Sequence, residues 1–310
     1  MTKISYFILT RFNIPFNSQN KFLLETEYLS KRFSIFENSC FLSIQQQTFN
    51  NFKWLTFFDS RTPEVFKERN LLLQRKFPQY TPIYIDLEKI RNWETEPCYY
   101  NEIKRILTIN NQFDIKITKE KFFFKLIIQK YISLVINSYC NQETRWIVTT
   151  RIDNDDCFHK NMMEEIYNHI NSQPKKEFIS FDNGLQYLTK SFIAQYFYYP
   201  NNHFTTTVEK RNQYIFTPFF WDHFYIEKYQ KVTHIKTQPL WLEIIHRDNA
   251  INKIDISKNT KLCLGKVCLN DFGIHKSWKT KNLLYSLLLY PNIYLIPYLK
   301  HLYNIIKHAL

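Results

Sequence analysis

Glycine is scarce in this sequence, with 3 in 310 residues. Gly184, Gly265 and Gly273 cannot assemble G-x-x-x-x-G-K-[ST] or G-x-G-x-x-G, so a glycine-rich phosphate loop is excluded. The six cysteines, Cys40, Cys98, Cys140, Cys157, Cys263 and Cys268, include no C-x-x-C pair. Neither a zinc site nor a disulfide framework is signalled, which fits a reducing interior. Long apolar runs are missing as well. The most apolar window, Leu283 to Tyr298, is cut by Pro291 and Pro297 and falls short of the roughly 18 to 20 residues that a spanning helix needs. Near the amino terminus, Ile4 to Leu9 is too brief and too poorly flanked for a signal peptide. These absences together predict a cytoplasmic protein without a transmembrane helix.

Hydrophobic residues make up 45% of the chain and aromatics 18%, which excludes disorder and predicts a well-filled interior. The length suffices for a full core. A formal charge of +13 and a pI near 9.3 point to an anionic partner: nucleic acid, an anionic membrane surface or a phosphate-bearing substrate.

The most informative stretch runs from Glu143 to Ile170. Trp146 to Thr150 is β-branched and aromatic, the composition of a buried strand. Phe158, Met162, Ile166 and Ile170 recur every four residues, which reads as one helical stripe. Between them stand Asp153, Asn154, Asp155 and Asp156. Three carboxylates in four positions repel one another and call for a cation or a set of donors. Hard oxygen ligands suit Mg²⁺ or Mn²⁺, ions that keep open positions for substrate phosphates. Capping of the following helix by Asp155 or Asp156 would account for one carboxylate and leave two unexplained.

Elsewhere the chain alternates. Ser5 to Thr10 reads as a first strand. Ser30 can cap a helix with Phe33, Phe36, Cys40, Phe41 and Ile44 on its apolar face, ending near Gln47. Phe52 to Asp59 reads as a second strand, followed by Thr62-Pro63-Glu64 as N-cap, N1 proline and acidic first turn. Tyr80 to Leu87 is a third strand, Lys121 to Cys140 has a helical pattern, and Glu177 to Phe181 and Phe192 to Tyr199 are strands around a turn at Asp182-Asn183-Gly184. Such alternation predicts an α/β fold with a mostly parallel sheet flanked by helices. Thr10 to Asn13, Asp59 and Asp153 to Asp155 each fall where a parallel strand ends, the crevice where open α/β sheets bind ligands.

Ser43-Ile44-Gln45-Gln46-Gln47-Thr48-Phe49-Asn50-Asn51-Phe52, running on to Asp59-Ser60-Arg61-Thr62, resembles the S-I-x-x-Q-T-[YF]-x-x-[FW] and D-x-S-T segment of GT-A glycosyltransferases. Ile152-Asp153-Asn154-Asp155 resembles their D-x-D motif. With Arg11-Phe12-Asn13, Thr149-Thr150-Arg151 and Trp241 to Asn249, the chain is similar over most of its length to a bacterial family of rhamnosyl transferases. The resemblance implies a GT-A (Rossmann-like) domain, placed at residues 1–278, and the apolar spacing beyond it predicts a helical C-terminal segment over 279–310. The resemblance also implies a nucleoside-diphosphate sugar as donor, a glycan or lipid-linked acceptor, and Mn²⁺ or Mg²⁺. Thr10, Arg11 and Asn13 would lie beside the nucleotide, Asp59 at base or ribose, and Asp153 and Asp155 at ribose and metal.

Negative charge grows on the diphosphate leaving group in such a transfer, and Arg11 and Arg151 are candidates to offset it. His246 is a candidate to complete the metal shell or bind the diphosphate. Pro239 suits a helical first turn, so Gln238 to Asn249 is expected to be a helix, with Glu243 and His246 on one face and Glu243 as base of an inverting displacement. Pairing of Glu243 with Arg247 is the plainer alternative. At the carboxyl terminus, Tyr298, Leu302, Ile305, Ile306 and Leu310 form a stripe with Lys300 and Lys307 off it. Docking of this helix on the sheet is the first expectation, and peripheral contact with an anionic membrane the second. A nucleic-acid-binding protein and a metal-dependent phosphoesterase are the rival classes. No helix-turn-helix or ribonucleoprotein motif supports the former, so no specific nucleic acid is expected, and the S-I-x-x-Q-T segment has no role in the latter.

Overall fold

The computed structural model describes residues 3–14, 21–90, 93, 97–112, 124–170, 173–189, 191, 194–246, 262–263, 269–275, 284, 287–288 and 291–309. A seven-stranded sheet organises them. Its strands are β1 (Lys3–Arg11), β2 (Lys53–Asp59), β3 (Tyr80–Ile85), β4 (Thr144–Arg151), β6 (Glu177–Phe181), β9 (Thr206–Lys210) and β10 (Val232–Ile235), in the order β10-β6-β9-β4-β1-β2-β3. β3, β2, β1 and β4 run parallel, while β9 is antiparallel to both β4 and β6. The mostly parallel α/β arrangement agrees with the sequence reading.

Alternation along β1 divides the core. Tyr6 and Ile8 pack on one face with Trp54 and Phe58 of β2, beneath helices α1 (Thr26–Asn38), α2 (Cys40–Gln45) and α3 (Glu64–Lys76). Phe7 and Leu9 pack on the other with Leu55 and Phe57, covered by α5 (Pro97–Gln112) and α6 (Gln129–Tyr139), which follow the short α4 (Leu87–Ile90). Such two-sided burial is why these strands read as continuous apolar runs.

A second sheet of four strands, β5 (Cys157–Phe158), β11 (Trp241–Ile245), β7 (Asn183–Leu188) and β8 (Ala194–Tyr198), has the order β5-β11-β7-β8. It corrects two expectations. Trp241–Ile245 is a strand, parallel to β7 and antiparallel to β5, rather than a helix. All five of its residues are buried, so the missing alternation in W-L-E-I-I reflects burial of both faces. Asn183 and Gly184 are likewise strand rather than turn. A Cβ at Gly184 would lie 2.2 Å from the Trp241 ring, so the glycine answers to close approach of that indole across the register pair.

Smaller corrections follow local chemistry. The helix expected from Ser30 to Gln47 begins after Glu25 and breaks at Ser39, whose hydroxyl donates to the Ile35 carbonyl at 2.6 Å in competition with the helical ladder. Pro63, not Thr62, is the N-cap of α3. Helix α7 (Met162–Ile170) starts well after Asp156, so neither Asp155 nor Asp156 caps it, and Phe158 belongs to β5. After the short α8 (Ile226–Tyr229), the last helix is α9 (Ile296–Ala309). Its Leu299, Leu302, Ile305 and Ile306 are exposed, against the expectation of a helix docked on the sheet.

Candidate active site

The parallel strands deliver their polar ends to one place. Ile152 N–H donates to the Leu9 carbonyl at 3.1 Å and Phe12 N–H to the Phe57 carbonyl at 2.9 Å, which extends the β4-β1-β2 pairing by one residue. Asn13 then ties the ends together. Its Nδ2 donates to Thr62 Oγ1 at 3.0 Å and its Oδ1 accepts from Asp59 N–H at 3.1 Å. Thr10 is fully buried, and its hydroxyl accepts from the Trp54 indole at 2.9 Å. The Asp59 carboxylate accepts from Arg61 backbone N–H, Nε and Nη2 at 2.8, 2.9 and 2.7 Å.

Arginine and aspartate interleave beyond β4. Arg151 Nε and Nη2 donate to Asp153 Oδ1 and Oδ2 at 3.1 and 3.0 Å, a bidentate fork, with the guanidinium 5.8 Å from the Phe219 ring centroid. Burial alone would raise the Asp153 carboxyl, but Arg151, His203 and Arg11 outweigh it and hold it well below the usual range. Arg11 is half-buried beside Arg151 and Asp153. Desolvation, with Arg151, lowers its guanidinium to about 9, still protonated at neutral pH.

Asp155 faces another set. Its Oδ2 accepts from Arg32 Nη1 at 3.0 Å and lies 2.9 Å from His246 Nε2, while Arg32 Nη2 donates to Asn154 Oδ1. Burial opposes the charge, yet Arg32 and His246 bring this carboxyl down to about 2. Arg32 Nε is buried without a hydrogen-bond partner.

Asp156 is the acid that the cations do not balance. Antiparallel pairing of β5 with β11 sets it against that strand, and its Oδ1 accepts from Ile244 N–H at 3.0 Å. Its Oδ2 lies 2.7 Å from His203 Nε2. Burial, then Asp155 and Asp153, push its carboxyl well above the ordinary value, while burial and Arg151 push His203 down. Burial thus disfavours charge on both members of the pair. Nearby, burial, Arg151 and His203 push His223 down to about 3.

Ligand atoms of Asp153, Asp156 and His203 lie within 4.8 Å of one another. Two carboxylate oxygens and one imidazole nitrogen are a donor set suited to Mn²⁺ or Mg²⁺, and the excess acid at Asp156 is what a divalent ion would relieve. The residues present thus fit a metal. Of the three ligands expected from sequence, Asp155 and His246 meet each other, whereas Asp153 meets Asp156 and His203.

Glu243 completes the cluster from β11. It is buried, and its Oε2 accepts from Gln186 Nε2 at 2.7 Å. Gln186 Oε1 in turn accepts from Gln195 Nε2 at 3.0 Å. Burial first and Asp156 second push the Glu243 carboxyl up to about 7, against the opposing pull of His203 and Gln186. The alternative partner Arg247 lies outside the described residues.

Sequence reasoning missed Arg32, His203, His223 and Gln186. No local spacing marks them. His203 reaches the site because β9 pairs antiparallel with β4, with Arg151 N–H donating to the Thr205 carbonyl at 3.2 Å, a neighbour relation that the linear sequence does not carry.

Against known proteins, the family model described as "Putative rhamnosyl transferase" matches residues 7–98 and 96–258, segments that include every residue of this cluster. No curated protein matches. Among solved structures the chain is similar to mouse xyloside xylosyltransferase 1 in its apo form, at 12% identity and a TM-score of 0.30, over 57% of this chain and 52% of that one. The chain spans about half the length of that relative.

Proposed function

Since the chain belongs to a glycosyltransferase family, that of the putative rhamnosyl transferases, we propose that it moves a sugar, rhamnose in the first instance, from a nucleoside-diphosphate donor to a hydroxyl of a glycan or glycolipid acceptor. The observation that carries this reading is the convergence of Arg11, Arg32, Arg151, three aspartates and Glu243 at the carboxyl ends of the parallel strands, where an anionic donor meets both cations and a base.

In this reading Asp153, Asp156 and His203 hold Mn²⁺ or Mg²⁺, and Asp155 with His246 lies alongside, bonded to Arg32. When bound, the ion supplies Lewis-acid stabilisation of charge on the diphosphate. Arg11 and Arg151 add fixed positive charge in a partly buried setting, where it counts for more than in water. Asn13 and Asp59 position the nucleotide end of the donor, and Thr10 shapes that wall through Trp54.

Glu243 is the base. A carboxyl at about 7 is substantially ionised at neutral pH, yet basic enough to accept a hydroxyl proton. The bond from acceptor oxygen to anomeric carbon forms as the bond from that carbon to the diphosphate oxygen breaks. The proton passes to Glu243 and the electron pair leaves with the diphosphate, so the configuration inverts. Gln186 holds the carboxylate in place.

Calorimetric titration of nucleoside diphosphates, with and without Mn²⁺, tests the metal-diphosphate site. Tight binding is expected only with Mn²⁺ and is expected to vanish in Asp156→Asn. Equal affinity with and without the ion in the unmutated protein overturns the metal assignment.

A further inference from the structure

The carboxyl-terminal helix carries exposed apolar residues. Eight of the sixteen large hydrophobic residues exposed among the described residues lie at or beyond Leu284. On α9, Leu299, Leu302 and Ile306 recur at helical spacing, flanked by Tyr303, and all four are exposed. Lys300, Asn304 and Lys307 recur on the adjoining face, also exposed. The helix is thus divided lengthwise into an apolar half and a basic half.

Charge narrows the choice of occupant. From Phe272 to Leu310 the sequence has no aspartate or glutamate, against Lys276, Lys279, Lys281, Lys300 and Lys307. A second copy of this segment would cover the apolar half but offer the lysines no acidic partner. An acidic surface whose interior is apolar complements both halves at once, and an anionic bilayer is such a surface. The helix has 14 residues, about 21 Å at 1.5 Å per residue, and no helix among the described residues is long and apolar enough to cross a membrane.

We propose that α9 is an in-plane anchor: it lies on an anionic bilayer with Leu299, Leu302 and Ile306 sunk among the acyl chains and Lys300 and Lys307 at the headgroups. The anchor does not depend on the identity of the donor or on Glu243, so its test can fail while the transferase reading stands. Under that reading, it holds the active site at the surface where a lipid-linked acceptor lies.

Co-sedimentation of the full chain with vesicles of phosphatidylcholine, or of phosphatidylcholine and phosphatidylglycerol in equal parts, tests the proposal. The protein is expected to sediment with the mixed vesicles, to stay in solution with neutral ones, and to be released by added salt. A Lys300→Gln and Lys307→Gln variant is expected to bind roughly 30-fold less tightly, from a factor of about five per basic residue near such a surface. Leu302→Glu with Ile306→Glu should abolish sedimentation while Mn²⁺-dependent nucleotide binding, the check on folding, is unchanged. Equal sedimentation with neutral and anionic vesicles, or none with either, overturns the proposal. A dimer that the Leu302→Glu and Ile306→Glu changes dissociate, with vesicle binding unaltered, also overturns it by assigning the face to a second copy.

Discussion

Replacing Glu243 by glutamine is expected to move stability and activity in opposite directions. The carboxyl is raised from 4.5 to about 7, chiefly by burial and then by Asp156. At about 1.4 kcal/mol for each tenfold change in acidity, this corresponds to about 3 kcal/mol of destabilisation of the ionised form. A raised folded-state pKa means that stability is greatest below the unfolded value and falls as pH rises towards and through about 7. Glutamine keeps the shape and can still accept from Gln186 without carrying the charge. In urea denaturation with EDTA present, Glu243→Gln should match the unmutated protein near pH 4.5 and exceed it by up to about 3 kcal/mol at pH 8. Sugar transfer should nevertheless drop by roughly a hundredfold or more, the usual worth of a general base, with nucleotide affinity retained. In the unmutated enzyme kcat/KM should climb with pH through about 7 as the base ionises. Near-normal turnover in the variant, or a product with retained configuration, removes Glu243 from the mechanism. Unchanged stability at pH 8 refutes the burial argument itself.

Three further outcomes follow from the packing and the charges. Gly184→Ala should cost at least about 2 kcal/mol of stability by chemical denaturation, because its Cβ would meet the Trp241 indole at 2.2 Å and an overpacked core cannot yield without strain. Glu209 lines a cavity of about 50 Å³ away from the catalytic cluster, and burial raises its carboxyl to about 8 against a hydrogen bond from Phe216 N–H. Stability should therefore decline from about pH 4.5 to about pH 8, and Glu209→Gln should flatten that decline in a series of urea midpoints. His203→Gln should abolish Mn²⁺ binding, measured by calorimetry, whereas Asp155→Asn should weaken diphosphate affinity through Arg32.

The positions of Asp59 and Asp153 to Asp156 were legible because apolar strands ending in polar clusters are a local signal, and parallel pairing then brings those ends together. The strand at Trp241–Ile245 was not, since a short apolar run buried on both faces looks the same to periodicity whether helical or extended. Asn183-Gly184 has the composition of a turn, but the contact with Trp241 that selects the glycine comes from a residue far along the chain. His203 and Arg32 were invisible for a related reason. One depends on which strand neighbours β4, and the other on where α1 crosses the strand ends. The helix at Ile296–Ala309 was legible from its apolar spacing, but such a pattern is the same for a helix docked on protein and one that lies on lipid.

The most direct test of the central claim is to incubate the purified protein with Mn²⁺, a panel of nucleoside-diphosphate sugars that includes rhamnose donors, and glycan and glycolipid acceptors, and to measure the nucleoside diphosphate released together with the sugar transferred. The account predicts that one donor is consumed, that diphosphate release and sugar transfer are equal, and that both are lost in Asp156→Asn and Glu243→Gln. Failure to consume any donor, accompanied by metal-dependent phosphoester hydrolysis or by tight oligonucleotide binding at physiological salt, would contradict it.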